Sequence, residues 1–180
     1  MGRSRPAREL ARFHQPYRLR VNAPPVDYVD VITPFRRIVL AAQSADRAGD
    51  RSFGQRDAMA LLAATPEDVE FRVELTFHPL NTYVGVPAYT VWLEDLRGGR
   101  VRPRALERLP RYGPRVEGAS APLPVPGGLA LPGGSEPMLG GTVSAHFDGS
   151  ALDPTGVYDV VVEESGKTLA RVRADLGTMR

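Results

Sequence analysis

The sequence predicts a mainly β fold built from antiparallel sheets. Residues 69–78 alternate five apolar with five polar side chains, which is typical of a strand with one buried and one solvated face. Residues 157–163 are rich in β-branched side chains and 168–176 alternate again, so the turn at 164–167 between them indicates a hairpin. An antiparallel α+β arrangement is the alternative fold.

The composition is that of one folded domain. The chain has 180 residues, of which 42% are hydrophobic and 24% are charged, and this does not fit wholesale disorder, collagen or a coiled coil. Its longest apolar run, residues 58–64, is far shorter than the roughly 20 residues of a bilayer-spanning helix, so we expect a soluble chain. The absence of cysteine excludes disulfides, thiolate metal sites and thiol catalysis.

Charge is concentrated in two basic segments. Lys167 is the single lysine beside 22 arginines, a bias that also fits a GC-rich coding sequence. Residues 1–20 carry a net charge of +5 and residues 97–115 a net charge of +6, whereas the whole chain carries only +2. The rest of the chain is therefore acidic.

We expect residues 1–16 to form a basic N-terminal tail. No apolar segment of about 7 to 15 residues follows the charged start, so the sequence as written has no export signal and predicts a cytoplasmic protein. A periplasmic or extracellular location is the expectation if the true start lies upstream.

The first half of the chain predicts two strands followed by helices. Residues 17–22 and 27–33 have the extended pattern. Thr33 and Pro34 suit a helix start, and the apolar spacing that follows fits one helix face, although 34–42 also reads as a buried strand. Ser52 and Gln55 have the spacing of a capping box for a second helix, which completes a helical insertion over 34–64.

The second half predicts a further strand at 84–95 and then a long irregular segment. Residues 110–141 contain seven prolines and eight glycines, which favours a surface loop or linker over a strand. Order is predicted to return with a strand at 143–147.

Leu152, Pro154 and Tyr158 form an L-x-P-x-x-x-Y-x-V motif with Val160. This spacing resembles the tyrosine corner of immunoglobulin-like and fibronectin type III-like sandwiches, in which the tyrosine hydroxyl bonds to the backbone a few residues upstream. The resemblance covers about 35 C-terminal residues. It implies a seven-stranded antiparallel sandwich over 17–180, with strands at 17–22, 27–33, 69–78, 84–95, 143–147, 157–163 and 168–176.

No catalytic or cofactor-binding constellation is recognisable. The three histidines, His14, His78 and His146, are far apart in sequence, so no metal site is predicted, and we place His78 and His146 on solvated strand faces. Glu70 and Glu74 share the solvated face of their strand at a separation of about 13 Å, too far to act together on one bond. We therefore expect a non-catalytic protein without a cofactor.

Two groups of residues are candidates for partner binding. Arginines in the second basic segment suit bidentate bonds to anionic groups, and we expect this segment to protrude: Arg97, Arg100, Arg102 and Arg104. Aromatic residues beside a flexible glycine suit a protein interface: Tyr83, Tyr89 and Trp92.

The main functional hypothesis is a protein-binding or structural module. One alternative is an arginine-mediated binder of nucleic acid or of an acidic surface. Nucleic acid is less favoured, since Tyr112 is the only aromatic residue inside the basic segment. The other alternative is a hydrolase or transferase that uses Asp and His from loops.

Overall fold

The described part of the chain folds into two antiparallel sheets and three helices, and the prediction of a mainly β protein is confirmed. The computed structural model describes residues 7–64, 67–78, 80–113 and 137–179. Within these ranges the strands are β1 Arg18–Ala23, β2 Val26–Ile32, β3 Asp68–Thr76, β4 Tyr89–Asp95, β5 Arg100–Val101, β6 Ala105–Tyr112, β7 Met138–Asp148, β8 Val157–Glu164 and β9 Lys167–Asp175. The helices are α1 Ala7–His14, α2 Pro34–Arg47 and α3 Gln55–Ala64.

The described residues form nine strands rather than the seven predicted, and these divide into a five-stranded sheet I and a four-stranded sheet II. Sheet I has the order β1-β2-β3-β7-β6 and sheet II the order β5-β4-β8-β9, with every pairing antiparallel. β1 lies beside β9, so that side of the molecule brings one edge of each sheet together. The edges formed by β6 and β5 lie on the other side.

The inner faces of the two sheets share one apolar core. The predicted inner face of β3 is confirmed, since Val69, Phe71, Val73, Leu75 and Phe77 are all buried. The ring of Phe71 meets that of Phe147 edge-on at 5.4 Å, a favourable aromatic geometry. Val91, Leu93 and Val160 complete the same cluster from sheet II. Burial of both inner faces is the main stabilising contribution to this fold.

Helix α2 begins where its sequence predicts. The Thr33 hydroxyl accepts a hydrogen bond from the Arg36 amide at 3.2 Å, and Pro34 occupies the first turn, where its missing amide costs nothing. Residues 34–42 are therefore helical and the strand alternative was wrong. The buried side chain of Arg36 donates to the Val31 carbonyl at 2.6 Å and pairs with Asp30 at 3.3 Å, which fixes α2 to β2.

Helix α3 begins differently from the prediction. The Ser52 amide and hydroxyl both donate to Asp50, so Ser52 does not cap the helix. Asp57 instead accepts from the Gly54 amide at 2.9 Å, three residues before it. None of α3's own side chains is buried, and none of the described helices is long and apolar enough to cross a bilayer.

The predicted N-terminal tail contains α1. Phe13, at the end of this helix, packs against the rings of Tyr17 at 5.4 Å and Phe35 at 6.0 Å. His14 Nε2 lies 2.8 Å from the side-chain amide of Gln43 on α2. Helix α1 therefore contacts α2, while residues 1–6 lie outside the described residues.

The predicted loop over 110–141 is wrong at both of its ends. β6 continues to Tyr112 and β7 starts at Met138, and residues 114–136 lie outside the described residues. Pro110 is tolerated because β6 is an edge strand, in which one side of the backbone needs no ladder partner. Gly140 is required by close packing, since a Cβ there would collide with the carbonyl of Leu75.

Two other predicted strands change their limits. The strand expected at 84–95 begins only at Tyr89, so 84–88 are irregular. The strand expected at 143–147 runs over the whole of β7, where it pairs with β3 on one side and β6 on the other.

The turn before β8 is held by a hydrogen bond between its backbone and the Tyr158 side chain. The Asp153 amide donates to the Tyr158 hydroxyl at 2.8 Å, and the side chains of Leu152 and Tyr158 are both buried. Gly156 leaves space for the ring, since a Cβ there would lie 2.8 Å from Tyr158 Cε2. The tyrosine thus satisfies a backbone group that the turn leaves without a ladder partner.

We expect Tyr158→Phe to lower the free energy of unfolding by about 1 to 3 kcal/mol, because the Asp153 amide loses its acceptor in a partly buried turn. Urea denaturation followed by circular dichroism measures this change. Tyr28→Phe is the control, since Tyr28 is a half-buried tyrosine under the Arg18 guanidinium, and it should change stability by less than about 0.5 kcal/mol. Equal midpoints for wild type and Tyr158→Phe would show that this bond does not stabilise the turn.

Candidate functional site

Residues 97–113 of the second basic segment lie on the side of the molecule where β5 and β6 form the edges of the two sheets. The chain leaves sheet II after Val101 and enters sheet I at Ala105, so the segment crosses from one sheet to the other. We call this the β5–β6 side. It carries all four arginines that the sequence singles out.

Part of the basic segment is anchored, which corrects the expectation that it protrudes freely. Arg104 pairs with Asp68 at 2.7 Å, and Arg111 pairs with Glu74 at 3.0 Å while donating to the Leu75 carbonyl. Arg108 donates to the Tyr89 carbonyl at 2.8 Å and so links β6 to β4. These bonds hold β6 against both sheets.

The remaining arginines of this side have no carboxylate partner among the described residues. Arg97 and Arg102 are exposed, and the Arg100 guanidinium lies 5.1 Å from the centre of the Trp92 ring, a cation–π contact. Arg97, Arg100 and Arg102 thus present positive charge to solvent. Arg108 is also exposed, and within the described part of the chain its guanidinium bonds only to the Tyr89 carbonyl.

The three aromatic candidates occupy different environments. Tyr89 is 1% exposed and lies in the core, so its ring cannot contact a partner, and burial together with the nearby charge of Glu164 raises its pKa. Trp92 is half-buried on the outer face of sheet II. Tyr83 is exposed, and its ring packs on that of Phe77 at 4.9 Å. Tyr83 is therefore the aromatic candidate with the most accessible ring.

Tyr83 belongs to a larger apolar surface that the sequence did not reveal. Val84 is 97% exposed, Leu109 62% and Tyr112 46%. The Tyr112 hydroxyl donates to the Val84 carbonyl at 3.5 Å, and Asn81 donates to the carbonyl of Met138, the register partner of Tyr112, so the 81–84 loop lies against the end of β6. We call these four side chains the apolar patch: Tyr83, Val84, Leu109 and Tyr112.

Sequence reasoning missed Leu109 and Tyr112 because it assigned no strand to 105–112 and began a loop at Pro110. The segment has no regular alternation of apolar and polar residues, and Pro110 also argues against a strand. The edge position accommodates the proline, and both Leu109 and Tyr112 are exposed there.

Asp68 is the centre of a buried charge cluster beside this side. Its two oxygens contact Arg37 and Arg104, each at 2.7 Å, and His146 Nδ1 at 3.0 Å. Burial alone would raise the pKa of Asp68, but the hydrogen bond and charge of His146 and the charges of the arginines outweigh it, so the pKa lies below its ordinary value. Through these three donors the Asp68 carboxylate joins α2, the residue before β6 and β7 to the start of β3.

The outer face of sheet I is less solvated than predicted. His146 is mostly covered, and Glu70 is only 6% exposed because Arg72 pairs with it at 2.9 Å. His78 is exposed, as expected. Glu74 accepts from the Thr142 hydroxyl as well as from Arg111. The acidic side chains of this face are therefore used within the fold, beneath arginines that lie further out.

No group of three potential metal ligands is found among the described residues. Comparison of the chain with protein-family models, with curated proteins and with solved structures finds no match. Functional inference therefore depends on the surface chemistry of the chain.

We expect Asp68→Asn to lower the free energy of unfolding near pH 7 by about 1 to 3 kcal/mol, because a neutral amide cannot pair with both arginines. The folded pKa of Asp68 is depressed, so its stabilising contribution is present above the unfolded pKa of about 3.9 and is lost as the pH falls through the folded value. Urea denaturation across this acid range measures the effect.

The difference between Asp68→Asn and wild type should therefore shrink in acid. Asp46→Asn, at an exposed position of α2, is the control and should stay within about 0.5 kcal/mol of wild type throughout. A gap that stays constant from neutral pH to acid would show that the charge of Asp68 does not stabilise the fold.

Proposed function

We propose that this protein is a non-catalytic, immunoglobulin-like domain that binds a protein partner through the apolar patch. Three features support the proposal: the order of the strands, the geometry of the turn before β8, and the exposed apolar side chains at the end of β6.

The strand order supports the immunoglobulin-like assignment. In that fold one sheet has the order A-B-E-D and the other contains C, F and G. Here the neighbouring strands β2, β3, β7 and β6 correspond to A, B, E and D. In the other sheet β4, β8 and β9 correspond to C, F and G, and β5 is an additional edge strand beside β4. β1 precedes this set as an extra edge strand, and α2 and α3 lie between the strands that correspond to A and B.

The turn before β8 supports the same assignment. β8 corresponds to strand F, and the tyrosine corner of these sandwiches lies at the start of that strand. Tyr158 is the second residue of β8, and its hydroxyl accepts a hydrogen bond from the Asp153 amide five residues upstream. This is the kind of contact that the corner requires.

The apolar patch is the single observation that carries the functional proposal. Exposed apolar side chains that lie together beside polar residues mark interaction surfaces, and tyrosine is enriched there because it combines apolar area with a polar hydroxyl. Tyr83, Val84 and Tyr112 lie where the 81–84 loop contacts the end of β6, and Leu109 is exposed three residues earlier on the same edge strand. Removal of this area from water is a favourable contribution to binding.

An affinity experiment in cells of the source organism tests the proposal. We expect the wild-type protein to recover a partner, and Leu109→Ser combined with Tyr112→Ser to recover at least about tenfold less, because truncation of a central interface side chain costs more than about 1 kcal/mol. Quantitative mass spectrometry of the bound proteins is the measurement.

Met59→Ser is the matched control, because Met59 is 58% exposed on α3 and far from the patch in sequence and in the fold. It should recover the partner as wild type does. Equal recovery by the patch variant and the control would contradict the proposed role of the patch. Turnover of a substrate by the purified protein would contradict the non-catalytic assignment.

A further inference from the structure

β6 is a long edge strand with almost its full length accessible. It pairs only with β7 among the described residues, and seven of its eight residues are exposed. An edge strand presents backbone amides and carbonyls that its single neighbour leaves unpaired, and in β6 this row lacks one amide, at Pro110. Such a row is the template on which an extended segment of another chain adds as a further strand.

The charge around this edge is strongly positive. Residues 97–113 contain six arginines and one acidic residue, Glu107. Asp68 and Glu74 neutralise two of these arginines from within the fold. The other four have no carboxylate partner among the described residues: Arg97, Arg100, Arg102 and Arg108. Towards the opposite side of the molecule, Arg18, Arg171 and Arg173 each contact a carboxylate.

The positive charge of this edge favours a different protein over a second copy of this chain as the partner. Pairing of two β6 strands would bring two arginine-rich edges together, and like charges on neighbouring strands are destabilising. Carboxylates, in contrast, make short, charge-assisted and often bidentate bonds to guanidinium groups. Charge complementarity therefore favours an acidic segment over a second copy of this chain.

We propose that the β6 edge takes up an extended, acidic segment of a protein partner by strand addition. The backbone of the segment pairs with β6, its carboxylates meet the arginines of the β5–β6 side, and an apolar side chain reaches the apolar patch next to Tyr112. The inference rests on the proposed function, since it specifies the chemistry of the partner that the same surface binds.

Synthetic peptides of eight residues, the length of β6, test the mode of binding. One alternates glutamate with valine and ends in leucine, a second has lysine in place of glutamate, and a third is the acidic peptide with methylated backbone amides. We expect the acidic peptide to bind and to slow hydrogen exchange at β6 amides measured by NMR. The lysine peptide should not bind, and the methylated peptide should bind at least about tenfold more weakly, because it cannot complete the ladder.

Charge reversal tests the role of the arginines. Arg97→Glu combined with Arg102→Glu, at two exposed arginines that make no side-chain bond to the fold among the described residues, should weaken binding of the acidic peptide by at least about tenfold in fluorescence polarisation. Arg20→Glu combined with Arg51→Glu is the matched control, since both residues are exposed and lie outside the β5–β6 side, and the control makes the same change in net charge. It should leave the affinity within about twofold of wild type. Equal weakening by both variants would overturn the assignment to this side.

Failure of this inference and failure of the proposed function give different results. One outcome is that Leu109→Ser with Tyr112→Ser loses the cellular partner while the wild-type protein does not bind the acidic peptide. This would overturn strand addition and leave the protein-binding function in place. Binding of single-stranded DNA in preference to the acidic peptide, abolished by Arg97→Glu and Arg102→Glu, would overturn it in favour of nucleic acid. A dimer in sedimentation that masks β6 amides would overturn it in favour of a second copy.

Discussion

The ionic contacts of Asp68 hold together parts of the chain that are distant in sequence. Its carboxylate accepts from Arg37 on α2, Arg104 before β6 and His146 on β7, while its own backbone begins β3. A buried carboxylate is costly unless its lone pairs are satisfied, so these partners must be in place together. The position of β6 and of its accessible edge therefore depends in part on the ion pair between Arg104 and Asp68, at the start of the strand.

The same physical rule explains how this chain uses its many arginines. Arg36, although buried, donates to the Val31 carbonyl and pairs with Asp30, and Arg72 and Arg111 cover Glu70 and Glu74. The planar guanidinium suits these roles because it keeps its charge and offers several donors in fixed directions. Arginines that serve the fold in this way differ from the others in their partners, since Arg72 and Arg111 are themselves exposed. Four arginines without a carboxylate partner among the described residues lie on the β5–β6 side.

Prediction from the sequence succeeded where the signal was local and failed where a distant neighbour decided. The alternation along β3, the turn between β8 and β9 and the start of α2 at Thr33 each depend on residues a few positions apart. β6 was missed because Pro110 argues against a strand unless one knows that the strand is at an edge. The glycines at the start of β7 suggested a loop, but Gly140 is there because the Leu75 carbonyl approaches it closely.

By itself the sequence determined that this chain is mainly β, which of its strand faces are apolar, and where its positive charge is concentrated. Only the tertiary structure decided which charges are neutralised and which apolar side chains remain exposed, as the buried Tyr89 and the exposed Tyr112 illustrate. Alternation and turn chemistry act between neighbours along the chain. Exposure and ion pairing depend on which strands become edges and which carboxylates lie across the sheet, and those relations exist only once the strands have assembled.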